Sequence, residues 1–190
     1  DRVRWERRWA ESAREGGPPR APSAWVVERA LERPAAALVV DLAGGDGRHA
    51  APLAAAGRRV VAVDIAEGAV REAVRRGAAA GVVADLGALP FAPATFDVVL
   101  VVNFLDRGLF PTLGALLRPG GVLVYETYVR DHLALVASGR ARAPRNPAYV
   151  LAPGELPRLV APLEVVAARE GLVTDEAGER CVSSVVAVRR

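Results

Sequence analysis

From Ala36 onward, near-continuous apolar runs rich in β-branched residues alternate with amphipathic Ala/Arg/Leu runs. The apolar runs Ala37–Leu42, Arg59–Asp64, Ala80–Ala84, Phe96–Val102 and Gly121–Thr127 predict strands. They lack a clean period-two alternation, which is how strands buried on both faces of a parallel sheet read. The intervening runs Arg48–Ala56, Ala66–Arg76 and Leu109–Leu117 predict helices. Strands and helices joined by short connections imply right-handed crossovers and a doubly wound α/β sheet. Ahead of this pattern, residues 1–33 read as helical, with Trp5, Trp9, Trp25, Val26 and Ala30 at helical spacing; Gly16-Gly17-Pro18-Pro19 splits them into two short helices.

The tail changes character. Gly154–Leu163 predicts a short helix interrupted by Pro157, and Leu163–Arg169 and Val182–Val188 predict two further strands separated by the turn-like Thr174–Glu179. So short a connection forces those two strands to pair antiparallel. Residues 128–150 form the longest irregular stretch, with Gly139, Pro144 and Pro147; long loops of this kind often serve as lids or binding loops.

Composition narrows the functional classes. The 190 residues suit one domain. One Cys (Cys181) excludes a disulfide framework and a Cys-based zinc site, and two His (His49, His132) argue against a His-rich metal site. No apolar run is long enough to span a bilayer, and no secretory leader pattern opens the chain, so a cytoplasmic location is expected. The chain opens on Asp1 rather than Met, so the first few residues are expected to be clipped or missing from this sequence. The pI of 9.7 suggests nucleic acid, but the net charge is only +3. Every basic residue is Arg, whose very high pKa raises a pI without building a strong field at neutral pH.

The most informative segment is Val39-Val-Asp-Leu-Ala-Gly-Gly-Asp-Gly-Arg-His49: a strand, a tight small-residue turn and a helix start. Gly44, Gly45 and Gly47 can adopt backbone angles closed to other residues and let a ligand lie against the main chain. Three carboxylates, Asp41, Asp64 and Asp85, fall at the carboxyl ends of successive predicted strands, the edge where open parallel sheets bind ligands. Asp64 is placed to hold a ribose diol, and Asp85 with Leu86 to hold an adenine. Gly45-x-Gly47-x-x-Ala50 also satisfies a dinucleotide fingerprint, which keeps NAD as an alternative. Against it, Asp41 sits where a pyrophosphate would want no negative charge, whereas a cationic sulfonium cofactor suits an acid-lined loop.

These motifs resemble those of class I S-adenosylmethionine-dependent methyltransferases. Asp41-x-Ala43-x-Gly45-x-Gly47 resembles that family's acid-x-Gly-x-Gly-x-Gly loop, with Ala43 replacing the first Gly. Val61–Ile65 resembles the ribose-binding second strand, Ala84-Asp85-Leu86 the adenine-binding motif, Phe96–Asn103 the fourth strand, and Leu117–Val124 the Leu-Arg-Pro-Gly-Gly turn entering the fifth. A further likeness is to small methyltransferases of the tellurite-resistance type. Asp41–His49 is similar to their Asp-Leu-Ala-Cys-Gly-Glu-Gly-Arg-Asn, with Gly44 and His49 as departures. Asn103–Arg107, Tyr125-Glu-Thr127, Pro144–Pro147 and Leu151–Leu156 also resemble that group.

The resemblance implies a Rossmann-like, doubly wound, mostly parallel seven-stranded sheet with a C-terminal antiparallel hairpin and helices on both faces. It implies one methyltransferase domain over 1–190, with an N-terminal helical lid (1–33), a cofactor core (36–127) and a substrate loop with the hairpin (128–190). The cofactor would be S-adenosylmethionine, leaving as S-adenosylhomocysteine, held by Asp41, Ala43, Gly45, Gly47, Asp64, Ile65, Asp85, Leu86 and Asn103. The acceptor would be a small molecule and the protein a monomer or homodimer, with no nucleic acid, membrane or metal partner.

Catalytic candidates are Arg107, Glu126 and His132. Substrate-facing candidates are Trp9, Tyr128 and Arg145, with Trp5, Arg8 and Trp9 as a lid. Each has a plain structural alternative: Arg107 pairing with Asp106, Glu126 as a buried paired acid, His132 as a solvated loop residue, and the Trp side chains as helix packing. The rival functions are a nucleic-acid methyltransferase, disfavoured by Asn103-Phe-Leu-Asp106 where an Asn-Pro-Pro-aromatic motif would stand, and a non-catalytic cofactor-binding protein.

Overall fold

The computed structural model describes residues 2–15 and 20–190. The predicted break at Gly16–Pro19 and the Arg8 side chain lie outside the described residues. Seven strands form one sheet: β1 (Leu38–Leu42), β2 (Arg59–Asp64), β3 (Ala80–Val83), β4 (Phe96–Val102), β5 (Leu117–Tyr128), β6 (Glu164–Asp175) and β7 (Gly178–Val188). Their order is β3-β2-β1-β4-β5-β7-β6. The pairs from β3 to β5 are parallel, and β7 is antiparallel to both β5 and β6. The doubly wound sheet with its antiparallel hairpin is therefore present.

The helices are α1 (Arg2–Glu15), α2 (Ala24–Leu31), α3 (Ala50–Ala55), α4 (Glu67–Arg75), α5 (Phe110–Leu116), α6 (His132–Ala137) and α7 (Leu156–Leu159). Val26, Ala30, Ala50, Leu53 and Ala73 carry α2, α3 and α4 onto one face of the sheet, while Leu113, Leu116, Leu135 and Leu156 carry α5, α6 and α7 onto the other. The central strands are buried almost throughout because both faces are covered, which is why their sequences do not alternate. The strand order reverses between β1 and β4, so the loops leaving those two strands flank a crevice at the sheet's carboxyl edge.

Several boundaries differ from the expectation. β5 begins at Leu117 rather than Gly121, because Leu117 pairs with Phe96 ahead of a register shift that absorbs Arg118–Gly121. The β6–β7 hairpin is longer than expected and turns tightly after Asp175, so most of Thr174–Glu179 belongs to the ladder. The stretch 128–150 is not irregular throughout, since it contains α6 and a short 3-10 turn at Pro147–Tyr149.

Candidate functional site

The turn after β1 is built around Asp41. This side chain is only 1% exposed, and its Oδ2 has no hydrogen-bond partner among the described residues. Burial pushes its carboxyl up to about 7, against the opposing pull of the Arg48 charge. A Cβ at Gly44 would lie 2.8 Å from the Asp41 Cγ, so glycine leaves room for this carboxylate. Gly45 and Gly47 take left-handed backbone angles (φ 58° and 73°), but Gly44 does not; the third left-handed residue is Ala43 (φ 53°). A Cβ at Gly47 would meet Ala73 of α4 at 2.8 Å, so that glycine serves close packing of turn against helix.

Asp64, the last residue of β2, accepts from the Gly45 N–H and the Ala66 N–H, both at 3.0 Å. It thereby ties the turn to the next strand, and its remaining lone pairs stay available to a diol. Burial raises its carboxyl despite these hydrogen bonds. Asp85 follows β3, is exposed, and accepts from the Gly87 N–H at 2.9 Å, presenting the buried Leu86 beside it. Ile65, Val83, Ala84 and Asp85 line a cavity of about 210 Å³, closed on one side by Arg2 of α1.

The loop after β4 is the crevice's other wall. Asn103 is held in a left-handed conformation (φ 58°) by its N–H donating to the Glu126 carbonyl at 2.8 Å, and its buried Oδ1 lacks a partner among the described residues. The Tyr125 hydroxyl donates to the Phe104 carbonyl at 2.6 Å and fixes the loop from below. Across the top lies α1. Glu6 accepts from the Glu67 N–H at 2.8 Å, capping α4, and Trp9 stands close to Gly45.

The structure gives each of the three catalytic candidates local partners. Glu126 is fully buried and bound by Arg169 (2.8 Å), Arg180 (2.9 Å) and the Ser184 hydroxyl (2.7 Å). Burial opposes its charge, but these donors hold its carboxyl below the usual range, so it is a structural anion and not a proton acceptor. His132 is not a solvated loop residue. It starts α6 at 1% exposure, with Nε2 against the Ala143 carbonyl (2.9 Å) and Nδ1 facing the Cys181 N–H (3.3 Å). Those partners specify one neutral tautomer, and burial lowers its basicity further. Arg107 pairs bidentately with Glu155 (2.6 and 3.0 Å), not with Asp106, and clamps the post-β4 loop to the segment before α7. Of the substrate candidates, Arg145 lines a separate hollow of about 440 Å³ with Leu133, Val136 and Ala137 of α6. Tyr128 ends β5 at the edge, its ring stacked 4.3 Å from that of His132.

Two groups escaped the sequence reading. His49 is buried and accepts the Ser23 N–H at 3.1 Å, pinning the start of α2 to the end of the glycine turn. Arg48 has its charge disfavoured by burial and is acted on by Tyr128, Asp46 and Asp41. Its signal was available, since Arg48 directly follows the last glycine of the turn.

A parallel sheet reversing at β1/β4, a glycine turn with a buried acid, further acids ending or following β2 and β3, and an antiparallel last hairpin together define the class I methyltransferase architecture. Residues 39–121 match the family described as "Methyltransferase domain". Over that segment the chain is similar to methyltransferases, and its fold is that of solved S-adenosylmethionine-dependent methyltransferases. It is 35% identical over 120 residues to a demethylmenaquinone methyltransferase of Clavibacter sepedonicus, covering 58% of this chain and 49% of that one. It is 35% identical over 114 residues to a ubiquinone biosynthesis O-methyltransferase of Methylocella silvestris, covering 54% and 44%. The chain therefore spans about half the length of these curated relatives. A TehB-like S-adenosylmethionine-dependent methyltransferase of Corynebacterium glutamicum shares the fold over 100% of this chain and 98% of its own, with TM-score 0.65 and 16% identity.

Proposed function

We propose that this protein transfers a methyl group from S-adenosylmethionine to a small-molecule acceptor by in-line displacement, without a side-chain base. The observation that carries this reading is the pair of buried, unpartnered acceptors on opposite walls of one crevice, Asp41 Oδ2 and Asn103 Oδ1. Buried acceptors left unpaired are costly, and they suit the ammonium and sulfonium end of such a cofactor. That cofactor supplies an activated methyl group when bound. Asp41, Ala43, Gly45, Gly47 and Asn103 would hold its amino-acid end, Asp64 its ribose, and Ile65, Asp85 and Leu86 its adenine, at the cavity that Ile65 and Asp85 line.

With Glu126 and His132 occupied elsewhere, the chain's contribution is positioning and exclusion of water. Residues 1–33 would act as the lid, with α1 closing through Glu6, Trp9 and Arg2, over the core 36–127 and the substrate-side elements 128–190. An organic acceptor accords with the quinone-pathway names of the curated relatives, and a cytoplasmic setting with the lone buried Cys181.

The test is transfer of a radiolabelled methyl group onto panels of thiols, phenols, carboxylic acids, selenite and tellurite, with transfer RNA and duplex DNA alongside. Labelling confined to a small acceptor supports the reading. Labelling of nucleic acid alone would assign the rival function, and tight cofactor binding with no transfer to any panel would leave a binding protein.

A further inference from the structure

We propose that Arg20, Arg48 and Tyr128 form a binding site for an anionic group on the methyl acceptor, so that the substrate is a carboxylate- or oxyanion-bearing small molecule. This rests on the methyltransferase reading and gives it a substrate class.

The site assembles from three parts of the chain. The 3.1 Å hydrogen bond from the Ser23 N–H to His49 Nε2 joins the segment leading into α2, three residues after Arg20, to the residue that follows Arg48. Tyr128, at the end of β5, is fixed there by its stack on His132 and by its register opposite Val182 of β7. The charges of Arg48, Arg180 and Arg20 all bear on the Tyr128 hydroxyl, and Arg20 and Arg48 repel each other. Arg180 is already committed to Glu126 at 2.9 Å and Asp175 at 2.6 Å. Arg20 and Arg48 make no hydrogen bond or ion pair to the described residues. The acids nearest Arg48 compensate it only in part: Asp46 and Asp41 both favour its charge, but Asp46 is shared with Arg76 at 2.8 Å, and burial pushes the Asp41 carboxyl up to about 7.

Cations gathered round one neutral hydroxyl repel one another, and a bound anion relieves that cost. Two guanidinium forks and a phenol offer donors matched to the several oxygens of a carboxylate or oxyanion. Burial pushes the Tyr128 phenol up, so it keeps its proton and donates at neutral pH. Arg48 acts on Asp41 as well as on Tyr128, which sets the anion between the cofactor turn and the end of β5. An acceptor anchored there has its nucleophile directed to the crevice without help from a base.

The experiment is calorimetry on the full chain, free and saturated with S-adenosylhomocysteine, titrated with benzoate and separately with sulfate. Wild type should bind at least one of them in both states. Arg20→Ala and Arg48→Ala should each weaken that binding about tenfold and Tyr128→Phe about threefold, the scale of lost charge-assisted and neutral hydrogen bonds. Arg20→Ala and Tyr128→Phe should leave S-adenosylhomocysteine affinity unchanged. Benzoate binding without sulfate assigns an organic acid, and binding of sulfate assigns an inorganic oxyanion. The proposal is overturned if wild type binds neither, if the variants bind as wild type does, or if cofactor saturation abolishes anion binding, which would give Arg48 to the cofactor's own carboxylate. If Arg48→Ala unfolds, Arg20→Ala on its exposed segment carries the test alone. Anion binding lost in the variants, in a protein that never binds S-adenosylhomocysteine, would sink the methyltransferase reading and leave the anion site standing.

Discussion

At the ends of β1 and β4, Asp41 and Asn103 each keep a buried oxygen without a partner, whereas across β5, β7 and β6 the Glu126 carboxylate is saturated by Arg169, Arg180 and Ser184. Both regions bury polar side chains at the same sheet edge. One leaves oxygens unpartnered among the described residues; the other is closed upon itself and joins the hairpin to the parallel core. Burial of an acid therefore does not mark it as functional, and the state of its partners separates the two cases.

Breaking the closed region should have the largest effect. Glu126→Ala leaves Arg169 and Arg180 facing each other without their shared anion, so chemical denaturation should show a loss of about 3–5 kcal/mol. A loss no larger than that of an exposed pair would show that the cluster does not hold the hairpin.

The open region should respond to pH in two opposite senses. The folded Asp41 carboxyl titrates near 7, above its unfolded value of 3.8. Its contribution to the free protein's stability is thus full below the unfolded value and is lost as pH rises through 7, by an amount on the order of 4 kcal/mol. Cofactor affinity should rise over the upper part of that range, because the carboxylate is the form that attracts a cation. Asp41→Asn should flatten both profiles and weaken S-adenosylhomocysteine about tenfold. Parallel rather than opposed trends in stability and affinity would remove Asp41 from the cofactor's amino-acid end.

Smaller effects sharpen the contrast. Arg107→Ala breaks a half-exposed pair with Glu155 and should cost about 0.5–1 kcal/mol, with S-adenosylhomocysteine affinity intact. A fall in cofactor affinity would return Arg107 to the site. Ala43→Gly relieves a left-handed alanine and should stabilise the free protein by about 0.5–1 kcal/mol, read as a higher melting temperature. No gain would mean that the turn is not strained at Ala43.

The same contrast governs what was legible in the sequence. β2 and β4 run over the residues expected because strands buried on both faces announce themselves as unbroken apolar runs. The acids of the open region lie within or just beyond their own strands, so local pattern was enough to find Asp41, Asp64 and Asp85. The closed region is non-local: Glu126 meets Arg169 and Arg180 from 43 and 54 positions away. Nothing near Glu126 or His132 in the chain declares that their donors and acceptors are already taken. α6 is too short for periodicity to reveal it, and the polar end of β6 read as a turn because one face of that edge strand is solvated.

The central claim is that the crevice between the β1 turn and the β4 loop takes S-adenosylmethionine. Calorimetry of S-adenosylmethionine, S-adenosylhomocysteine and NAD, with wild type and Asp41→Asn, tests it most directly. The account predicts binding of both S-adenosyl compounds, none of NAD, and weakened binding in the variant. Binding of NAD in their place, or S-adenosyl binding indifferent to Asp41→Asn, would contradict it.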